Sequence, residues 1–168
     1  KNKIIRAVGE PEKRFMEDAL RMMRAVRFSA QLGFSIEEQT LEAIRKHAGL
    51  LEMIAKERIR DEFQKLIMAP HAPEGVRMLE DCGLLKFILP ELREGIGSTQ
   101  NKHHIYTVFD HSVLALKYAV EKGYALDVRL SALFHDIAKP RTKRGEGLNA
   151  TFYGHEIVGA RMTLRALD

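Results

Sequence analysis

The run Phe15-Met16-Glu17-Asp18-Ala19-Leu20-Arg21-Met22-Met23-Arg24-Ala25-Val26-Arg27-Phe28 decides how this chain folds. Wound at about 100° per residue, it sorts into two faces. Ala19, Met22, Met23, Val26 and Ala30 gather on one side as a core stripe. Glu17, Asp18, Arg21, Arg24 and Arg27 gather on the other. The same helical period recurs along the chain and no train of alternating strands competes with it, so the expected fold class is all-α.

Working outward, Ile4 to Val8 reads as the end of a strand or a linker, and Gly9-Glu10-Pro11 as a turn. One helix is expected from Pro11 to Gln31, with Gly33 at its C′ position. Ser35 and Glu38 have the spacing of a capping box for a second helix that runs to His47. A third is expected from Leu50 to Met68, stopped by Pro70. A further helix carries Val76, Met78 and Leu79 and ends at Gly83, and a short apolar stretch, Leu84 to Leu89, is halted by Pro90. Gly95-Ile96-Gly97-Ser98 is the clearest boundary signal. Beyond it, helices are expected over Ile105–Glu121 and Leu126–Ala138, then a polar loop to Thr151 and a last helix from about Gly154.

The 168 residues are 45% apolar and 30% charged, which is the balance of a globular protein and not of a disordered one. A net charge of +4 permits nucleic-acid binding without demanding it. The single cysteine, Cys82, excludes an internal disulfide and points to a reducing, cytoplasmic setting. No apolar run approaches the roughly 20 residues of a membrane span, so no membrane partner is expected. Lys1, in place of Met, reads as the start of a piece of something longer or of a trimmed chain.

His135-Asp136 closes the apolar stretch Leu130-Ser131-Ala132-Leu133-Phe134. An imidazole nitrogen beside a carboxylate oxygen suits borderline to hard divalent ions. His111 lies on the preceding helix, and an antiparallel pair would bring it opposite His135. His155 opens the following helix, and Lys139 is placed to meet a phosphate as a point charge. Taken singly, each histidine also reads as a capped helix end or a satisfied core residue. Together they resemble the HD superfamily of metal-dependent phosphohydrolases. That resemblance implies His111, His135 and Asp136 as metal ligands, His155 as a further one, and Mg²⁺ or a divalent transition metal that activates water against a phosphoester. The family's last aspartate belongs on a later helix, for which Asp168 is the only candidate in this chain.

On the opening run, Asp18 and Arg21 offer an acceptor beside a donor. Cytosine and adenine each present an amino donor beside a ring-nitrogen acceptor, which a carboxylate and a guanidinium complement. Uracil and guanine present the reverse polarity, which leaves buried polar groups unsatisfied at about 1–3 kcal/mol each. Arg24 and Arg27 continue the face and suit a base or a triphosphate. The alternative is a solvated helix face with i,i+4 ion pairs worth about 0.2–0.5 kcal/mol each.

The wider sequence bears on that choice. Arg6-Ala7-Val8-Gly9-Glu10-Pro11, Arg14-Phe15, the run from Glu17 to Phe28, and Gln31-Leu32-Gly33-Phe34 closely resemble class II tRNA nucleotidyltransferases, which are the CCA-adding enzymes and their bacterial poly(A) polymerase relatives. The resemblance implies that Asp18 and Arg21 pair with CTP and ATP without a nucleic-acid template. It also implies that Arg24 and Arg27 are further nucleotide contacts and that Glu17 holds Arg21. Arg58 and Glu62, on the family's later neck helix, are expected to be structural. The implied layout is residues 1–10 as a linker from a polymerase head, 11–70 as neck, 71–98 as body, and 99–168 as an HD-type helical bundle incomplete at its C-terminus.

The family's head supplies a Gly-Ser turn and two carboxylates that hold Mg²⁺. Gly97-Ser98 is followed by Thr99-Gln100-Asn101, with no carboxylate pair, and Glu10-Pro11-Glu12 is a poor clamp. The chain alone is therefore expected not to polymerise, and in it no residue is expected to be catalytic for nucleotidyl transfer. Implied partners are tRNA, CTP and ATP, with the oligomeric state open. The rival readings are a stand-alone HD phosphohydrolase and a non-catalytic RNA-binding module.

Overall fold

In the computed structural model, which describes residues 3–100, 105–145 and 147–167, the opening run forms the end of one helix and most of a second. Helix α1 spans Pro11–Glu17, with proline in the first turn where its missing N–H costs nothing. Helix α2 spans Leu20–Leu32. Between them Asp18 is extended, at φ −153° and ψ 102°. Its Oδ1 accepts from the Leu20 N–H at 3.2 Å and its carbonyl from the Arg21 N–H at 3.1 Å. That is N-cap behaviour, so the uninterrupted helix expected from Pro11 to Gln31 breaks at its aspartate. The core stripe survives the break: Ala19, Met22, Met23, Val26 and Ala30 are all buried. Gly33 closes α2 in the left-handed region, at φ 64°, where a side chain would be strained.

Two short strands, β1 (Ile4–Ile5) and β2 (Ser35–Ile36), pair in parallel, with Ile4 beside Ser35 and Ile5 beside Ile36. This pairing overturns the capping box expected at Ser35 and Glu38. Ser35 lies in the strand, the first N–H after the strand, that of Glu37, donates to Ile5 O at 2.9 Å, and helix α3 (Glu38–His47) starts without a side-chain cap. A 3₁₀ segment, Ala48–Met53, is separated by extended Ile54 from helix α4 (Lys56–Ile67). The single helix expected over Leu50–Met68 is therefore two pieces. Helix α5 (Ala72–Asp81) packs with α4 on α2. A Cβ at Gly75 would sit 3.0 Å from Ala30 Cβ and 3.2 Å from Leu66, so glycine sets that approach. Helix α6 (Leu85–Ile88) ends the first unit.

The second compact unit begins at Leu89. It contains α7 (Pro90–Arg93), α8 (Val108–Glu121), α9 (Leu126–Phe134), α10 (Lys139–Thr142) and α11 (His155–Leu167). Gly95 and Ser98 lie within this unit, where their carbonyls accept from Phe109 N at 3.1 Å and Val108 N at 3.0 Å. Those bonds satisfy donors that the first turn of α8 cannot use internally. Thr107 adds the cap, accepting from Asp110 N at 3.1 Å. A four-residue connection folds α9 back along α8 as an αα-hairpin. Helix α9 stops at Phe134, short of the expected Ala138, so His135 and Asp136 lie in the turn that follows it.

Candidate functional site

At the α1–α2 junction the break redistributes the charged face. Arg21 Nη1 donates to Glu17 Oε2 at 2.5 Å and to the Arg14 carbonyl at 3.0 Å, which places its positive charge at the C-terminal end of α1. Arg14 also donates to Glu17 Oε2, at 2.7 Å, so one carboxylate serves two guanidinia. These bonds hold the Glu17 carboxyl below its ordinary range, with Arg21 as the largest cause. Glu17 thus bonds Arg21 directly.

Asp18 takes a different partner. Its Oδ2 accepts from Arg58 Nη2 at 2.9 Å, across 40 residues of chain. Burial pushes its pKa upward, but Arg58 and the Leu20 N–H overcome that and lower it. Asp18 and Arg58 line one cleft of about 430 Å³ with Met16, Met53 and Ile54. Arg21 and Arg24 line another of about 210 Å³, with Arg6, Arg14 and Phe28. Phe15 lines both.

Deeper along α2, Arg27 Nε donates to buried Glu62 Oε2 at 2.6 Å, its Nη1 donates to Gln31 Oε1 at 2.7 Å, and its guanidinium lies 4.1 Å over the Phe28 ring. Arg24 is farther from Glu62, at 3.7 Å, and more exposed. Burial raises the pKa of Glu62, but the bond from Arg27 outweighs it and the net shift is downward. Arg58 and Glu62, one turn apart on α4, therefore hold Asp18 on one side and Arg24 and Arg27 on the other. Sequence reasoning missed Arg14, whose carbonyl and guanidinium both brace the Arg21–Glu17 pair.

In the second unit the α8–α9 hairpin brings the start of one helix against the end of the other. His111 Nε2 and His135 Nε2 are 3.1 Å apart, and Asp136 Oδ2 lies 3.5 Å and 3.2 Å from them. His155, at the start of α11, places Nε2 3.6 Å from Asp136 Oδ1. Of the four residues expected as metal ligands, His111, His135 and Asp136 bring ligand atoms within 4.8 Å of one another, while His155 faces the other oxygen of Asp136. Two are oriented through their other nitrogen: His135 Nδ1 is 2.9 Å from Ala132 O, and His155 Nδ1 is 2.7 Å from Phe152 O. An imidazole that donates through Nδ1 keeps Nε2 as the acceptor or ligand. Two nitrogen lone pairs 3.1 Å apart repel unless a proton or cation sits between them.

Donor atoms bonded at about 2.0–2.1 Å to one ion stand about 3.0–3.4 Å apart, so this set fits a divalent metal with N and O preference. Lys139 Nζ lies 2.7 Å from Asp136 Oδ2, so this ammonium pairs with the same carboxylate. Burial pushes the pKa of Asp136 up, but the bonds from His135 and Lys139 hold it far below the carboxylate range. His135 is raised, first by its bond to Asp136. Asp168 lies outside the described residues.

Residues 33–96 match the family described as "Probable RNA and SrmB- binding site of polymerase A", and residues 108–167 match the HD domain. The A-adding tRNA nucleotidyltransferase of Deinococcus radiodurans is 40% identical over 176 residues, covering 99% of this chain and 40% of that protein. The chain matches a body–HD segment of the class II tRNA nucleotidyltransferases. The CC-adding tRNA nucleotidyltransferase of Thermus thermophilus is 36% identical over 165 residues, covering 93% of the chain and 38% of its own length. The chain thus spans about two fifths of these curated relatives. A crystal structure of the Bacillus stearothermophilus CCA-adding enzyme in complex with CTP aligns with 98% of the chain and 51% of its own, at 26% identity and a TM-score of 0.51. Among the described residues no helix is long and apolar enough to cross a membrane.

Proposed function

We propose that the first unit is the base-selecting part of a template-independent tRNA nucleotidyltransferase, with Asp18 and Arg21 choosing CTP and ATP. The observation that carries this reading is the junction itself, where a helix break fixes one carboxylate and one guanidinium three residues apart by capping opposite helix ends. Fixed groups discriminate because the wrong base meets them with the wrong polarity and cannot induce them to turn. Arg24, exposed and loosely held, is the arginine placed to meet phosphate or base. Arg27, committed to Glu62 and Phe28, positions the helix. Binding tRNA falls to the basic excess of the segment, and transfer falls to a Mg²⁺-bearing head. In the enzyme that carries this segment with such a head, Asp18→Ala is expected to lose at least tenfold of the preference for CTP and ATP over UTP and GTP. Unchanged selectivity in single-nucleotide addition overturns the assignment.

The convergence of His111, His135 and His155 on Asp136 supports a second activity, metal-dependent phosphoester hydrolysis, in the same protein. When bound, a divalent ion would supply an activated water and charge neutralisation of the phosphoryl group. Lys139 would add a fixed positive charge toward the phosphate. Hydrolysis of bis(p-nitrophenyl) phosphate is expected to require added Mn²⁺ and to vanish in Asp136→Ala. Activity in that variant equal to the parent's rules the reading out.

A further inference from the structure

We propose that Gln100 is a positioning residue of the His–Asp centre, holding the Lys139 ammonium at a second acceptor so that Lys139 releases Asp136 when a divalent ion binds. The proposal rests on the metal reading of that centre. Lys139 Nζ is shared between two oxygens, Asp136 Oδ2 at 2.7 Å and Gln100 Oε1 at 2.8 Å, and lies 5.6 Å from the Phe152 ring centroid. The Lys139 side chain is 12% exposed and Gln100 is 4% exposed, so water is a poor substitute for either oxygen.

The direction of the amide is fixed by chemistry. Gln100 Nε2 donates to the Tyr106 carbonyl at 3.4 Å, an acceptor that only the NH₂ end can serve, which leaves Oε1 facing the ammonium. A buried glutamine used at both ends is costly to replace and has a defined task.

That task follows from competition at one atom. Asp136 Oδ2 is the oxygen closest to His111 and His135, and it is also the oxygen that Lys139 holds. A divalent ion there repels the ammonium and takes its acceptor. Without Gln100 the described residues offer the displaced ammonium an aromatic face. With it, the ammonium keeps a neutral acceptor in both states, supplemented by the ring of Phe152. Gln100 therefore stabilises the metal-loaded centre more than the empty one.

The test is Mn²⁺ binding to the 168-residue chain, read from the electron paramagnetic resonance signal of free Mn²⁺. Gln100→Leu is expected to weaken binding about tenfold, the scale of one hydrogen bond to a charged group. Gln100→Glu is expected to strengthen it by drawing Lys139 off Asp136. In a Lys139→Met background, where no ammonium needs housing, Gln100→Leu is expected to change nothing. Equal weakening in both backgrounds, or affinity within twofold of the parent, overturns the proposal. If Gln100→Leu fails to fold, Gln100→Glu decides: unchanged or weaker binding overturns it. A parent chain that binds no Mn²⁺ removes the metal reading and this proposal with it, whereas a parent that binds while Gln100 is indifferent removes this proposal alone.

Discussion

At the α1–α2 junction each carboxylate already has a guanidinium against it, whereas at the His–Asp centre three imidazoles and an ammonium crowd a single carboxylate. Glu17 has Arg14 and Arg21, Asp18 has Arg58, and Glu62 has Arg27. The junction is thus satisfied without a ligand, and a nucleobase gains access only by joining or exchanging bonds that exist. At the other centre the Nε2 atoms of His111 and His135 face each other at 3.1 Å, an arrangement that a cation relieves. The first region holds its shape by carboxylates each paired with a guanidinium, whereas in the second one carboxylate is shared by three imidazoles and an ammonium. Loss of the buried carboxylate should therefore act on stability in the first region, and substitutions in the second on ion binding.

The largest effect is expected at Glu62. Its carboxylate is buried and serves Arg27 in the interior of the first unit, so Glu62→Ala leaves a largely buried guanidinium without its carboxylate. Loss of one member of such a pair costs about 3–5 kcal/mol. Urea denaturation monitored within residues 3–88 should show that loss at pH 7. The pH dependence has a definite sign. The folded pKa of Glu62 is lowered, so its contribution is complete above the unfolded glutamate value of about 4.3 and drains away as pH falls through the lower folded value. The gap between parent and variant should therefore narrow below pH 4. A gap that persists unchanged at pH 3 would assign the loss to packing.

A smaller effect is expected at His155, and it sharpens the other side of the comparison. His155 Nε2 faces Asp136 Oδ1, while His111 and His135 face Oδ2. If it is a fourth ligand, His155→Ala should weaken Mn²⁺ binding about tenfold to a hundredfold while leaving the melting of the first unit unmoved. If it only braces the start of α11 through Phe152, binding should stay within twofold of the parent.

The two regions also differ in how far their residues were legible in the sequence. Whereas His155 was expected only from the resemblance, His111 and His135-Asp136 sit at helix ends, and short-range spacing with one hairpin predicts their approach. The core stripe of α2 was legible for the same reason, since Met22, Met23 and Val26 obey a local period. What the sequence hid was long-range or backbone-driven. The Asp18–Arg58 bond spans 40 residues, and no local pattern marks it. The helix break had a signal, an aspartate before Ala19-Leu20, but the apolar period runs straight through it and masks the cap. Ser35 had good capping chemistry and lost to a strand pairing with Ile4 and Ile5 that only the tertiary fold supplies. Gln100 carried no signal at all, because a polar residue in a loop is ordinary until its burial is known.

The smallest effect on stability is expected at Arg58, and it is the sharpest test of what the junction is for. The Arg58–Asp18 pair is half-exposed, at 48% and 22% for the two side chains, so solvent screening leaves it about 0–1 kcal/mol. Arg58→Ala should therefore melt within a few degrees of the parent. Yet Arg58 is what pins Asp18 Oδ2 while the Leu20 N–H pins Oδ1. Freed at one oxygen, the carboxylate can rotate and reject a base of the wrong polarity less decisively. In single-nucleotide addition by the enzyme carrying this segment with a polymerase head, discrimination between CTP and UTP should fall about threefold to fivefold, and Arg58→Lys should restore part of it through a single charged donor. If Arg58 serves only the fold, stability and selectivity should move together. If it serves the reading of the base, selectivity should move while stability stays in place.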